Sequence, residues 1–180
     1  PYEETDVTNP QNIYGMSKLK GDEAILDSNC NGTIIRTSWL YSEFGNNFVK
    51  TMIELGEKKD FINVICDQLG CPTYALNLAK LVLIILNKNL EIKQPFSGSD
   101  LYHYSDEGFC SWYEFTKSIF KLYGLKCKVK PIKTKDYHSL VTRPQYSVLN
   151  KNKIKAFIPN LVIPHWQESL INCLLEIKKY

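Results

Sequence analysis

At 180 residues, with 44% hydrophobic and 23% charged residues, the chain is long enough for a sizeable core and reads as globular rather than disordered. A formal net charge of +3 is too small to argue for nucleic acid, and the longest apolar run, Leu81 to Leu86, is far short of the ~20 residues that span a bilayer. Its six cysteines show no C-x-x-C pair and no His at zinc-ligand spacing, so they read as free cytosolic thiols, which makes the cytoplasm the expected location.

Pro1 to Gln11 is polar and proline-punctuated, with Asn9–Pro10 a turn signal, so a loop precedes the first helix. That helix runs from about Ile13 to Asp27 and ends near Asn29 to Gly32, with Gly21 on the face of Tyr14 and Lys18, where a missing side chain lets a neighbouring element approach. Thr33 to Ser38 is β-branched and continuous, like a buried parallel strand, and Trp39 and Tyr41 emerge near its C-terminal end, where open α/β sheets bind ligands. Asn46 or Asn47 caps a helix with Phe48, Met52 and Leu55 on one side, and Gly56 is placed to stop it.

Phe61 to Cys66 returns as a strand, Asp67 to Thr73 is a loop, and Tyr74 to Lys88 is a helix apolar almost all round, its core Leu81, Leu83, Ile84 and Leu86. After a loop from Gln94 to Asp100, Leu101 to Tyr104 is a short strand; Ser111 and Glu114 form a capping box for a helix that buries Trp112, Phe115, Ile119 and Leu122 and closes at Gly124. Cys127 to Ile132 alternates like an edge strand with its lysines outward, and the lysines from Lys117 to Lys135 read as a solvated face, with no nucleic-acid partner. Thr134 to Leu140 is a short polar turn or helix, Arg143–Pro144 fixes an extended segment, and Pro164 opens a last helix with Trp166, Leu170, Leu174 and Ile177 on one stripe.

The chemistry centres on Ile13–Tyr14–Gly15–Met16–Ser17–Lys18, which sets a phenol and an ammonium one helical turn apart on a shared face. A fixed cation favours the phenolate, so Tyr14 is a candidate acid/base; a surface Tyr and Lys on an ordinary amphipathic helix is the plainer reading of Y-x-x-x-K alone. Context extends the motif. Pro10 to Glu23 resembles the catalytic-helix segment of the extended short-chain dehydrogenases/reductases. Five further blocks, Arg36 to Tyr41, Asn47 to Met52, Asp67 to Thr73, His103 to Phe115 and Arg143 to Leu149, fall in the order of the dTDP-4-dehydrorhamnose reductases within that family, and the resemblance runs from Pro1 to about Trp166.

What this resemblance implies is an α/β chain: a remnant of a doubly wound Rossmann-type parallel sheet, over approximately residues 1–66 and carrying the Y-x-x-x-K helix, plus a smaller α/β substrate-binding lobe over approximately 67–180, with the chain crossing between them. It implies reduction of the C4 ketone of a dTDP-linked 4-keto-6-deoxy sugar by NADPH or NADH. Tyr14 would be the proton donor and Lys18 would hold the nicotinamide ribose, so both are catalytic and cofactor-binding candidates. Trp39 sits where the family packs a residue against the sugar nucleotide, with core packing as its alternative. Arg143 suits a diphosphate through bidentate hydrogen bonds, with a rim salt bridge as its alternative. Gln68 and Thr73 are weaker substrate-loop candidates, and His103 reads as a structural histidine. No G-x-G-x-x-G occurs here, so the main cofactor cradle is expected in an upstream half, and the 180 residues alone are expected to be inactive and to associate as a homo-oligomer. Some relatives hold Mg²⁺ through acids after the Pro–Thr loop; Thr73 to Leu78 contains none, so no metal is expected. The alternatives are a non-catalytic nucleotide-sugar-binding subunit, or a related NAD-dependent sugar-nucleotide epimerase or dehydratase.

Overall fold

Parallel pairing of strands distant in sequence organises the chain. The computed structural model describes residues 1–28, 30–91, 99–137 and 142–179. In order, they form α1 (Ile13–Leu26), β1 (Gly32–Arg36), β2 (Leu40–Tyr41), α2 (Phe48–Lys58), β3 (Phe61–Ile65), β4 (Leu69–Gly70), β5 (Thr73–Tyr74), α3 (Ala75–Glu91), β6 (Ser99–His103), β7 (Cys110–Ser111), α4 (Trp112–Tyr123), β8 (Lys128–Ile132), β9 (Tyr146–Ser147), α5 (Asn152–Phe157) and α6 (Trp166–Ile177). β1 pairs with β6, β2 with β5 and β3 with β8, all parallel, while β4 lies between antiparallel β7 and parallel β9. The turn expected to end α1 at Asn29 and most of the Gln94 to Asp100 loop lie outside the described residues, as does the end of the Thr134 to Leu140 segment, of which Thr134–Asp136 is a 3-10 turn.

Two apolar cores form, and they interleave along the chain. The larger gathers Tyr41, Val49, Met52 and Ile53 with Phe115, Ile119, Leu170 and Leu174, so α2, α4 and α6 pack as one group. The smaller joins Leu81 and Ile85 of α3 to Tyr102, Tyr104, Ile154 and Ile158, with Ile35 of β1 against it. Helix ends follow the sequence closely: Ser111 accepts from the Glu114 amide while Glu114 accepts from the Ser111 amide, and Gly124 closes α4 at φ +88°, in the left-handed region that a missing Cβ makes accessible.

Four expectations change. Gly56 does not stop α2, which continues to Lys58; a Cβ there would come within 2.8 Å of both Leu125 and Phe120, so this glycine is the point where α2 closes on α4 and its loop. On α3 Leu81 and Ile85 are buried with Leu78 packed beside them, while Leu83, Ile84 and Leu86 are exposed, because a helix lying on one sheet buries a single stripe. On α4, Leu122 likewise faces out. Gly21 has no atom within 4 Å of a built Cβ among the described residues, so nothing there exploits its missing side chain. All six cysteines are free thiols.

The first residues are not a free loop. Tyr2 pairs with Leu149, its amide donating to the Val148 carbonyl at 2.8 Å and its carbonyl accepting from Asn150 at 2.7 Å. Glu4 accepts from the His103 amide, and His103 is buried with Nδ1 3.2 Å from the Tyr2 carbonyl, which gives this histidine a structural position. Burial, the largest influence, holds its pKa below the usual histidine value. Among the described residues, no helix is long and apolar enough to cross a membrane.

Candidate active site

Helix α1 is held to the sheet by Asp22, whose carboxylate accepts from Arg36 of β1 at 2.7 Å, and it buries no residue completely. Tyr14 is 71% exposed, and the Lys18 ammonium lies 5.5 Å from its ring centroid, so the two side chains share one open face. Among the described residues no carboxylate pairs with Lys18. Asn12 starts the helix: its Oδ1 accepts from the Gly15 amide at 2.8 Å, and its Nδ2 donates to the Thr142 carbonyl at 3.0 Å. That second bond ties the beginning of the Tyr14 helix to the residue immediately before Arg143.

Arg143 is exposed, and no carboxylate among the described residues pairs with it. Its segment continues into β9, where the Gln145 carbonyl accepts from the Leu69 amide and the Ser147 hydroxyl donates to the Leu69 carbonyl. The same β4 turn lies beneath Trp39, since a Cβ on Gly70 would run into the indole ring. Trp39 itself sits at φ +48°, a conformation uncommon for a bulky residue, and stacks on Trp112 with ring centroids 3.4 Å apart and 8° between planes. Phe48 tilts against Trp112 at 4.4 Å. The structure thus joins the Tyr14 helix start, the Arg143 segment, the Gly70 turn and the Trp39 plate into one connected surface.

Gln68 and Thr73 belong to the frame of that surface. Gln68 is 3% exposed and donates to the Thr134 hydroxyl, whereas Thr73 is fully buried and donates to the Ser38 and Cys71 carbonyls. Asp67 accepts from both the amide and the hydroxyl of Thr134, and the hydroxyl bond is the main reason its carboxyl is held below the usual range. Behind the turn, Asp106 accepts from the Tyr74 amide and from Asn77, and burial raises its pKa despite those bonds.

Sequence reasoning missed three contributors. Asn12 stands one residue before the helix, the ordinary place for a capping Asn; nothing adjacent to Trp112 marks its stacking partner; and the loop expected from Asp67 to Thr73 does not single out Gly70 as the seat of Trp39.

The family model of the RmlD substrate binding domain matches residues 1–179. The chain belongs to this family. Among its relatives, a dTDP-4-dehydrorhamnose reductase of Sinorhizobium fredii is 40% identical over 94% of this chain and 58% of its own length. The spore coat polysaccharide biosynthesis protein SpsK of Bacillus subtilis is 39% identical over 98% of the chain and 58% of its own length. A solved dTDP-4-dehydrorhamnose reductase from Bacillus anthracis, in complex with NADP, superposes with a TM-score of 0.87 at 37% identity, covering 97% of this chain and 59% of that one. The RmlD chain therefore spans less than two thirds of the length of the relatives it matches.

Proposed function

We propose that this chain is the catalytic-helix and substrate-binding part of a nicotinamide-dependent reductase that converts dTDP-4-dehydro-L-rhamnose to dTDP-L-rhamnose. The observation that carries the reading is the open Tyr14–Lys18 pair on a helix whose first residue is bonded to the Arg143 segment. The activity named for the Sinorhizobium fredii relative and the NADP in the Bacillus anthracis complex support the reaction and the cofactor class. In this reading β1 and β6, with α1 and α3, are part of a Rossmann-type sheet, and the α2–α4–α6 core is the substrate lobe.

The bound nicotinamide supplies the hydride. Tyr14 donates the proton that the C4 oxygen requires as hydride arrives, and Lys18 beside its ring stabilises the negative charge left on the phenol oxygen. Lys18, with three donors and no carboxylate partner among the described residues, is also placed to hold ribose hydroxyls. Arg143 grips the diphosphate with its planar fork, and Trp39, stacked on Trp112 and backed by Gly70, offers an apolar ring edge to the deoxy-sugar. Gln68 and Thr73 act by shaping the turn under Trp39.

These residues fit only the ribose end of the cofactor. The N-termini of α1, α2, α3 and α4 are engaged by the chain's own groups: Asn12 caps α1, Asn47 caps α2, Ser111 caps α4, and the Tyr74 amide before α3 goes to Asp106. We therefore assign the pyrophosphate to a part of the reductase beyond these residues. The test is nicotinamide oxidation by the reductase carrying this chain, with dTDP-4-dehydro-L-rhamnose as substrate and the product identified. Formation of dTDP-L-rhamnose supports the reading; an epimerised or dehydrated product, or binding without turnover, sinks it.

A further inference from the structure

We infer that Asn12 is a positioning residue that sets Arg143 relative to Tyr14, and so fixes the distance between the diphosphate grip and the proton donor. The inference rests on the roles proposed above for those two residues. Arg143 lies between two anchors. On one side the Thr142 carbonyl accepts from Asn12 Nδ2 at 3.0 Å; on the other the Gln145 carbonyl accepts from the Leu69 amide at 2.8 Å, where β9 joins β4. Only Arg143 and Pro144 stand between these pinned residues, and the proline ring removes one backbone rotation from the pair. The guanidinium is therefore mounted on a short, doubly held arch.

The same Asn12 side chain uses its other atom, Oδ1, to accept from the Gly15 amide, which sets where α1 begins. Tyr14 follows two residues later, in the first turn. One planar amide thus bonds to both elements, and a rigid amide transmits position better than two independent side chains. Gly15 contributes as well: a Cβ there would come within 3.2 Å of the Pro10 ring, so its absence lets the incoming loop lie close and aim Asn12. Since a nucleotide sugar spans diphosphate and ketone, holding those two recognition groups at one separation selects for a ketone at one ring position.

The experiment uses the reductase carrying this chain, with Asn12→Ser, Arg143→Ala and the double variant, and reads dTDP affinity by calorimetry together with kcat and KM. Serine is also a favoured helix cap, so α1 keeps its start while the donor to Thr142 is lost. Asn12→Ser is expected to weaken dTDP binding about three- to tenfold, the worth of one hydrogen bond, with KM rising by a similar factor. In the double variant, Asn12→Ser should add nothing to Arg143→Ala, because the residue acts through that guanidinium. Asn12→Asp, which caps with a carboxylate and likewise cannot donate to Thr142, repeats the measurement if serine loosens the helix. Unchanged dTDP affinity in both Asn12 variants, or an effect that persists without Arg143, overturns the inference while leaving the proposed reaction intact. If Arg143→Ala itself leaves dTDP affinity unchanged, the diphosphate assignment fails and the inference falls with it.

Discussion

The indole rings of Trp39 and Trp112 lie 3.4 Å apart and 8° from parallel, although Trp39 stands just before β2 and Trp112 opens α4, 73 positions further along the chain. Stacked indoles couple their electronic transitions, so the pair should give a circular-dichroism couplet. Trp112→Leu is expected to abolish it, to cost about 0.5–1.5 kcal/mol of ring–ring interaction beyond lost burial, and to weaken nucleotide-sugar binding by freeing Trp39. An unchanged couplet in Trp112→Leu would show that the rings do not stack in solution.

Gly70→Ala probes the same plate from below. A Cβ there meets the Trp39 ring and lies 2.7 Å from the Ser147 hydroxyl, and the indole is backed by Trp112 and cannot simply withdraw. Overpacking of this kind costs about 1–3 kcal/mol, so the melting temperature should fall and the Trp39 emission should shift. A variant as stable as the parent would mean that the turn has room the geometry denies.

Tyr14→Phe keeps the ring and removes the proposed proton donor. Because Tyr14 is 71% exposed and its hydroxyl supports no part of the fold, the change should leave stability alone while lowering turnover about 10²–10⁴-fold. Turnover within a few-fold of the parent would remove Tyr14 from the reaction.

Arg143→Ala should weaken dTDP binding by about 1.5–3 kcal/mol, the range for a hydrogen bond to a charged group, without altering the melting temperature. Calorimetry against dTDP and a thermal scan separate this from a packing role, in which stability would drop and affinity hold.

The bond from Thr134 to Asp67 makes stability depend on pH. With its carboxyl held below the usual range, Asp67 contributes stability that is fully present above the ordinary carboxylate pKa and is lost as pH falls through the folded value. Thr134→Val removes the hydroxyl that is the main cause, so its acid unfolding curve should begin at a higher pH than the parent's. Urea midpoints measured across the acid range test this, and superimposable curves would count against it.

Local chemistry was legible where a few adjacent residues decide it. Asn47, Ser111 with Glu114, and Gly124 all act at helix ends as their side chains or φ requirements dictate, and the Tyr14–Lys18 spacing does put both on one face. Gly56 shows the limit: a helix glycine is equally suited to ending a helix and to admitting a neighbour, and only the position of Phe120 and Leu125 decides. The apolar run of α3 likewise carries no mark of which stripe meets the sheet. The two-residue strands β2, β4, β5, β7 and β9 have no periodicity to read. The Trp39–Trp112 stack and the Asn12–Thr142 bond join residues whose relation exists only after folding.

The pairing of Tyr2 with Leu149, together with the Asn12 bond across 130 residues, has a consequence for the order of assembly. Closing a loop of that length costs entropy before any contact repays it, whereas α4 with its capping box and the α2–α4 approach need far shorter closures. The helical core should therefore condense first, and the surface carrying Arg143 should be the last part to form and the first to open. In native-state hydrogen exchange the amides of Tyr2, Leu69 and Asn150 would exchange through small local openings, ahead of those in α4, so the region proposed to grip the diphosphate is also the one whose stability a ligand there would raise most.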